Sequence, residues 1–179
     1  MTIQLTNPRT LSIDELQWLQ TQLTAIYLEE ERDIWPDDGR YQRVSIEELK
    51  HFLAEGELVL ASNAAQTIIG CIRVYQEQGD WYFGLLCTRP EYRHQGIGSM
   101  LVAHAEQFVV SRGGELLYIE LLTAKEYPMP NKIKLKNWYL NKSYTFVRYA
   151  PFHEKYASKI GLLTKEIHFE VMSKRLIKL

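Results

Sequence analysis

Apolar residues recur along this chain with two periods, one helical and one of strands. Over residues 12–32, Leu16, Leu19, Leu23 and Ile26 follow one another at spacings of three and four. That spacing puts them on one face of a helix. Ser12 and Glu15 at its start form the capping-box pair, in which each satisfies a backbone N–H near the other. The charged run Glu29-Glu-Glu-Arg-Asp33 closes it, and Trp35-Pro-Asp-Asp-Gly-Arg40 reads as a loop by its turn residues. Ser45 and Glu48 repeat the capping box, and Leu49, Phe52 and Leu53 predict a second, shorter helix ending near Gly56.

The pattern then shifts to strands. Residues 2–5, 57–61, 67–76 and 81–88 are predicted strands, with turns at Ser62-Asn63 and Gln78-Gly-Asp80. Helical spacing returns over 98–112, where Leu101, Ala105, Phe108 and Val109 share a face and Gly113-Gly114 ends the run. Residues 116–122 are almost continuously apolar, which predicts a central strand buried on both sides. Pro128 and Pro130 bracket an irregular link. A helix is expected over 132–141, and strands over 144–149 and 167–172. The stretch 150–165 matches no element.

The order is therefore β, α, α, β, β, β, α, β, α, β, β. Hairpins precede one helical crossover, and a crossover between neighbouring strands makes a parallel pair. The expected architecture is an α/β single domain over residues 1–179. It has a mixed, mostly antiparallel sheet and helices on both faces.

The chemistry concentrates at the junction before the third helix, Thr88-Arg-Pro-Glu-Tyr-Arg-His-Gln-Gly-Ile-Gly-Ser99. A strand here turns directly into a helix N-terminus. The first-turn N–H groups have no partner within the helix, and the peptide dipoles add partial positive charge, so the place suits phosphate. Arg93, His94 and Gln95 flank it, and Gly96 and Gly98 let a bulky anion approach the backbone. No Lys follows Gly98, which excludes the Walker pattern, and a third glycine at dinucleotide-loop spacing is missing.

The remaining pattern, Arg93-x-x-Gly96-x-Gly98, resembles the Arg/Gln-x-x-Gly-x-Gly/Ala motif of the GNAT superfamily of N-acetyltransferases. The run Asn137-Trp-Tyr-Leu-Asn-Lys-Ser-Tyr144 is similar to a second signature of that family. The resemblance implies the GNAT fold (acyl-CoA N-acyltransferase) and acetyl-CoA as acyl donor cosubstrate. It implies that Leu86, Cys87 and Thr88 offer backbone groups to the pantetheine arm. A backbone N–H there would polarise the thioester carbonyl. It further implies that Arg93, His94, Gln95, Gly96, Ile97, Gly98 and Ser99 hold the pyrophosphate. Tyr139 falls where the family carries the tyrosine that protonates the departing thiolate. Two positions depart from the pattern. Ser143 stands where glycine is usual, and Lys132 stands where an asparagine near the pantetheine is common; a lysine there would instead reach a coenzyme phosphate.

Transfer to an amine also requires the ammonium to lose a proton. Glu120, inside the apolar run, is the leading carboxylate for this step. By residue type alone, Glu120 reads equally as an ordinary strand residue and Tyr139 as a half-buried helix aromatic. Glu30, Glu31, Trp35, Asp37 and Asp38 lie where the family walls its acceptor site, and a solvated surface explains them as well.

The bulk properties exclude other classes. The 179 residues carry a formal net charge of −1, which offers no broad attraction to nucleic acid or membrane. No run reaches the ~18–20 apolar residues of a membrane helix, no signal peptide is read at the start, and a cytoplasmic protein is expected. The five histidines and two cysteines form no metal-ligand pattern, so no metal is expected, and Cys71 and Cys87 read as buried free thiols. The expected activity is acetyl transfer to the primary amine of a small molecule by direct attack in a ternary complex. A protein N-terminal or lysine acetyltransferase and a non-catalytic acyl-CoA-binding module are the alternatives. Exposed late strands offer a homodimer contact.

Overall fold

The computed structural model describes residues 2–36 and 38–177. Asp37, one of the residues expected at the acceptor-site wall, lies outside them. The elements run β1 (Gln4–Thr6), α1 (Ile13–Glu30), α2 (Ile46–Ala54), β2 (Leu58–Ser62), β3 (Ile68–Glu77), β4 (Asp80–Thr88), α3 (Ile97–Ser111), β5 (Leu116–Ala124), α4 (Pro130–Leu140), β6 (Thr145–Pro151), α5 (Phe152–Tyr156) and β7 (Ile167–Arg175). The order read from the sequence holds, with α5 added. Among the described residues, no helix is long and apolar enough to cross a membrane.

Local chemistry sets the boundaries. Both capping boxes form: the Ser12 and Ser45 N–H groups donate to Glu15 and Glu48, whose own N–H groups donate back to the serine hydroxyls. The β3–β4 hairpin turns on Gln78 (φ 53) and Gly79 (φ 92). Two successive left-handed residues match the twist of the flanking strands.

The strands form one sheet in the order β1-β2-β3-β4-β5-β7-β6. Every pairing is antiparallel except β4 with β5. Helices α3 and α4 cover one face, burying Leu101, Val109 and Tyr139 against Ile72, Phe83 and Ile119. Helices α1 and α2 cover the other, through Leu16, Leu19, Leu23 and Leu49 against Leu58, Leu60 and Cys71. Each such aliphatic side chain contributes about 1.5–3 kcal/mol by leaving water. A third cluster joins Ile34, Trp35 and Tyr41, before α2, to Phe152 of α5 and Phe169 of β7.

Two expectations need correction. Residues 150–165 are not irregular: α5 and a 3-10 turn (Ala157–Leu162) fill most of them. Neither is long enough to show a helical period. Strand β5 is not evenly buried on both sides. Leu117, Ile119 and Leu121 are buried, whereas Tyr118 and Glu120, on the opposite face, are half-buried.

Three local features fix the region around α3 and α4. A Cβ on Gly70 would lie 2.8 Å from the Cys87 carbonyl oxygen and 3.2 Å from Ile97 Cγ2. Only glycine lets β3, β4 and the start of α3 come this close. Helix α4 ends with Ser143 at φ 68, its N–H donating to Leu140 O and the Tyr144 N–H to Tyr139 O. This paired closure is the Schellman arrangement. Serine thus occupies the left-handed position where glycine is usual. Third, Glu31 is 2% exposed and Lys132 of α4 is 7% exposed. Lys132 Nζ sits 2.6 Å from Glu31 Oε1, and the Trp35 indole N–H donates to Oε2 at 2.7 Å. This pair ties α4 to the end of α1.

Two stability outcomes follow from these positions. Ser143→Gly relieves the left-handed strain and raises stability by about 0.5–1 kcal/mol, readable as a higher urea midpoint. Glu31→Gln strands a buried ammonium and lowers stability by about 3–5 kcal/mol near neutral pH. Burial alone would raise the Glu31 carboxyl, but Lys132, Arg43 and the hydrogen bonds from Lys132 and Trp35 outweigh it and hold it below its ordinary value. Its contribution is therefore present above the unfolded pKa and lost as pH falls through the lower folded value. The two proteins converge in stability as pH drops below about 4.

Candidate active site

The site begins with an interruption in the sheet. Strands β4 and β5 pair only at Trp81 with Leu117, Tyr82 with Tyr118 and Phe83 with Ile119. Beyond that, β4 continues to Thr88 and β5 to Ala124 without pairing to each other. The break coincides with Leu85, at φ 48, and with a register shift of β4 against β3. Such a bulge bends the strand and re-aims the residues after it. The Arg89 N–H donates to Ile69 O on the β3 side. By strand alternation, the backbone groups of Leu86 and Thr88 face the other way, into the gap. Cys87 faces β3 in register with Cys71; both thiols are free and buried, with sulfurs 3.5 Å apart.

The loop after β4 leads into the N-terminus of α3. His94 (φ 62) and Gly96 (φ 83) take left-handed conformations that wrap the chain around the helix start. The first helical bond is Met100 N to Gly96 O, which leaves the N–H groups of Ile97, Gly98 and Ser99 without backbone partners. The Ile97 side chain is buried and anchors the turn, so only its N–H is available. A Cβ on Gly98 would stand 3.9 Å from the Trp138 ring and 4.0 Å from Thr88 Oγ1. Gly98, Thr88 and Trp138 therefore surround one space. This is a cradle of N–H groups at the mouth of the strand gap.

Tyr139 closes the inner end. It is 1% exposed and packs against Phe83, Tyr144 and Trp138 at ring distances of 5.8, 5.7 and 4.9 Å. Burial pushes its hydroxyl pKa well above the ordinary phenol value. The hydroxyl thus stays protonated and neutral across the physiological range.

Other sequence candidates are placed differently. Arg93 reaches back to α1, its Nη2 3.3 Å from Glu29 and 3.4 Å from Glu30. His94 and Gln95 are exposed, and Gln95 Nε2 donates to Glu91 O. Lys132 was read as reaching a coenzyme phosphate; here its ammonium is turned inward and held by Glu31. Glu31 itself belongs to no solvated face. Glu120 Oε2 lies 2.8 Å from Lys155 Nζ, which also binds Glu77 at 2.7 Å. The Glu120 oxygen is thus taken up by an ammonium rather than left free.

The contacts that hold the segment between α1 and α2 have little signature in the sequence. Arg43 stacks over the Tyr27 ring, with Cζ 4.2 Å from its centroid. Lys159 Nζ donates to the carbonyls of Gln42 and Arg43, and the Thr164 hydroxyl to those of Asp33 and Ile34. The only sequence signal was basic residues interleaved with tyrosines, at Tyr41-Gln-Arg43 and Lys155-Tyr-Ala-Ser-Lys159. A separate cavity of about 780 Å³, lined by residues including Lys125, His153, Lys165 and His168, shares no lining residue with the cradle.

Comparison with known proteins places this arrangement. No curated protein sequence matches the chain. Among solved structures, an aminoglycoside 6'-N-acetyltransferase complexed with coenzyme A superposes with a TM-score of 0.66 at 18% identity, covering 100% of this chain and 99% of that one. N-acetylglutamate synthase from Neisseria gonorrhoeae, complexed with coenzyme A and N-acetyl-glutamate, gives 0.64 at 15% identity. The match covers 99% of this chain, which spans only 36% of the synthase. The ribosomal-protein-S18-alanine N-acetyltransferase from Escherichia coli gives 0.59 at 10%, covering 99% and 96%. These likenesses establish the fold. The sequence matches the acetyltransferase (GNAT) family over residues 16–128, which run from α1 through the β4–α3 cradle and β5. The chain therefore belongs to the GNAT family of N-acetyltransferases, enzymes that take their acetyl group from acetyl-coenzyme A.

Proposed function

We propose that the chain acetylates the primary amine of a small molecule by direct attack on acetyl-coenzyme A held between β4 and β5. The observation that carries this reading is the unpaired β4–β5 gap opening onto the N–H cradle of α3. An extended pantetheine arm fits such a gap as an added strand, pairing with Leu86 and Thr88. The pyrophosphate then meets the N–H groups of Ile97, Gly98 and Ser99, where the helix dipole favours negative charge.

In the ternary complex the amine nitrogen attacks the thioester carbon. Negative charge grows on the carbonyl oxygen, which a backbone N–H of the free β4 edge stabilises. The C–S bond breaks, and Tyr139 donates its proton to the sulfur. Its raised pKa keeps that proton in place until the thiolate forms. The amine sheds its proton to water on the acceptor side. The Lys155 pairing leaves Glu120 to act on that water through the field of the Lys155–Glu77–Glu120 cluster rather than as a free base.

Closure of the acceptor side supports a small acceptor over a protein chain. The segment between α1 and α2 buries Ile34, Trp35 and Tyr41, and the α5 region bonds to its backbone through Lys159 and Thr164. A protein substrate needs an open groove there.

Two measurements test this. Calorimetric titration with acetyl-coenzyme A gives binding to the wild type and at least a hundredfold weaker binding to Gly98→Glu, which puts bulk and negative charge between Trp138 and Thr88. Equal binding by a folded variant contradicts the placement. Tyr139→Phe lowers kcat by about 10²–10⁴-fold with little change in coenzyme affinity. An unchanged kcat removes Tyr139 from the proton transfer.

A further inference from the structure

We propose that the acceptor is an amino-carboxylate, and that Arg43 and Tyr41 receive its carboxylate while the amine faces the thioester. This rests on the transferase reading above and adds the substrate class to it.

Arg43 lies between α1 and α2, its backbone N–H held by Thr24 Oγ1 at 3.2 Å. Its side chain is half-buried over Tyr27, and no described ion pair includes it. Nearby Glu31 has both oxygens committed, Oε1 to Lys132 and Oε2 to Trp35. Glu48 lies near Lys159, but its Oε2 is bound to the Ser45 N–H at the start of α2. Among the described residues, Arg43 and Lys159 are two cations set against Glu31, which Lys132 also pairs, and Glu48.

Two donors beside them are also unspent. Arg43 Nε and the Tyr41 hydroxyl are both buried without a hydrogen-bond partner. Burying such groups unpaired is costly, and a ligand that pairs them recovers the loss. Lys159 Nζ is taken by two backbone carbonyls, so it supplies field rather than contact. What is left is one planar fork and one hydroxyl. That set matches the two oxygens of a carboxylate. A polycationic amine would meet like charge at the same place.

Position links this set to the reaction. Tyr27, under the guanidinium, packs against the cluster that includes Leu85 and Cys87 of β4. Arg43 therefore lies one aromatic ring from the part of β4 that borders the β4–β5 gap.

The test measures thiol release from acetyl-coenzyme A with the twenty L-amino acids one at a time, and with the carboxamide of each one that is turned over. At least one amino acid is expected to exceed its carboxamide tenfold or more in kcat/KM. Arg43→Met should raise KM for that acid tenfold or more and leave the carboxamide unaffected. Arg43→Lys keeps the charge but loses the fork, and should fall between. Calorimetric binding of acetyl-coenzyme A to each variant shows that it is folded. No amino acid turned over by protein that binds acetyl-coenzyme A, carboxamides turned over as well as acids, or an Arg43→Met loss equal on both acceptors overturns the carboxylate assignment alone. No binding of acetyl-coenzyme A to the wild type overturns the transferase reading and this inference with it.

Discussion

The constraint on which the rest depends is the early end of pairing between β4 and β5. Buried backbone N–H and C=O groups must find partners, and within a sheet they normally find the next strand. Here the one parallel pair in the sheet stops after Phe83 and Ile119. The left-handed Leu85 bends β4 away, and Gly70 lets β3 follow without a clash against the Cys87 carbonyl. Both strands are held from outside, β4 by β3 and β5 by β7. The gap is therefore rigid rather than frayed. On this account its unspent backbone groups are what recognise the donor, and α3 begins where the donor's charge must lie.

Around this gap the protein builds two different environments. The donor side is made of backbone: helix N–H groups, glycine, and the free edge of a strand. Such a surface tolerates substitution of exposed neighbours such as His94 and Gln95. The acceptor side is made of side chains with strong charge. Lys132 and Glu31 lock α4 to α1, Lys155 gathers Glu77 and Glu120, and Lys159 binds the backbone before α2. On the proposed reading specificity comes from the second set, because the donor is common to the family and the acceptor is not.

The contrast explains what the sequence disclosed. The capping serines Ser12 and Ser45, the apolar stripes of α1 and α3, and the β4–α3 junction are local signals, each contained within a short window. They were legible, and the sheet order followed from them. Ser143 stands out in the sequence only as a serine where glycine is usual; its left-handed conformation is a finding of the fold. Side-chain pairing was not legible. Lys132 and Glu31 are 101 positions apart, and nothing local marks either as buried. Lys155 and Lys159 lie on helical turns too short to show a period, so the partner of Glu120 and the support for Arg43 stayed hidden. The general lesson in this chain is that backbone sites are written locally and charge networks are not.

The most direct test of the central claim is a crystal structure of the protein with coenzyme A. The account predicts pantetheine amides within hydrogen-bond distance of the Leu86 and Thr88 backbone, the pyrophosphate on the N–H groups of Ile97 to Ser99, and the sulfur near the Tyr139 hydroxyl. Coenzyme bound elsewhere, with the β4–β5 gap unfilled and the α3 N-terminus open to water, would contradict it.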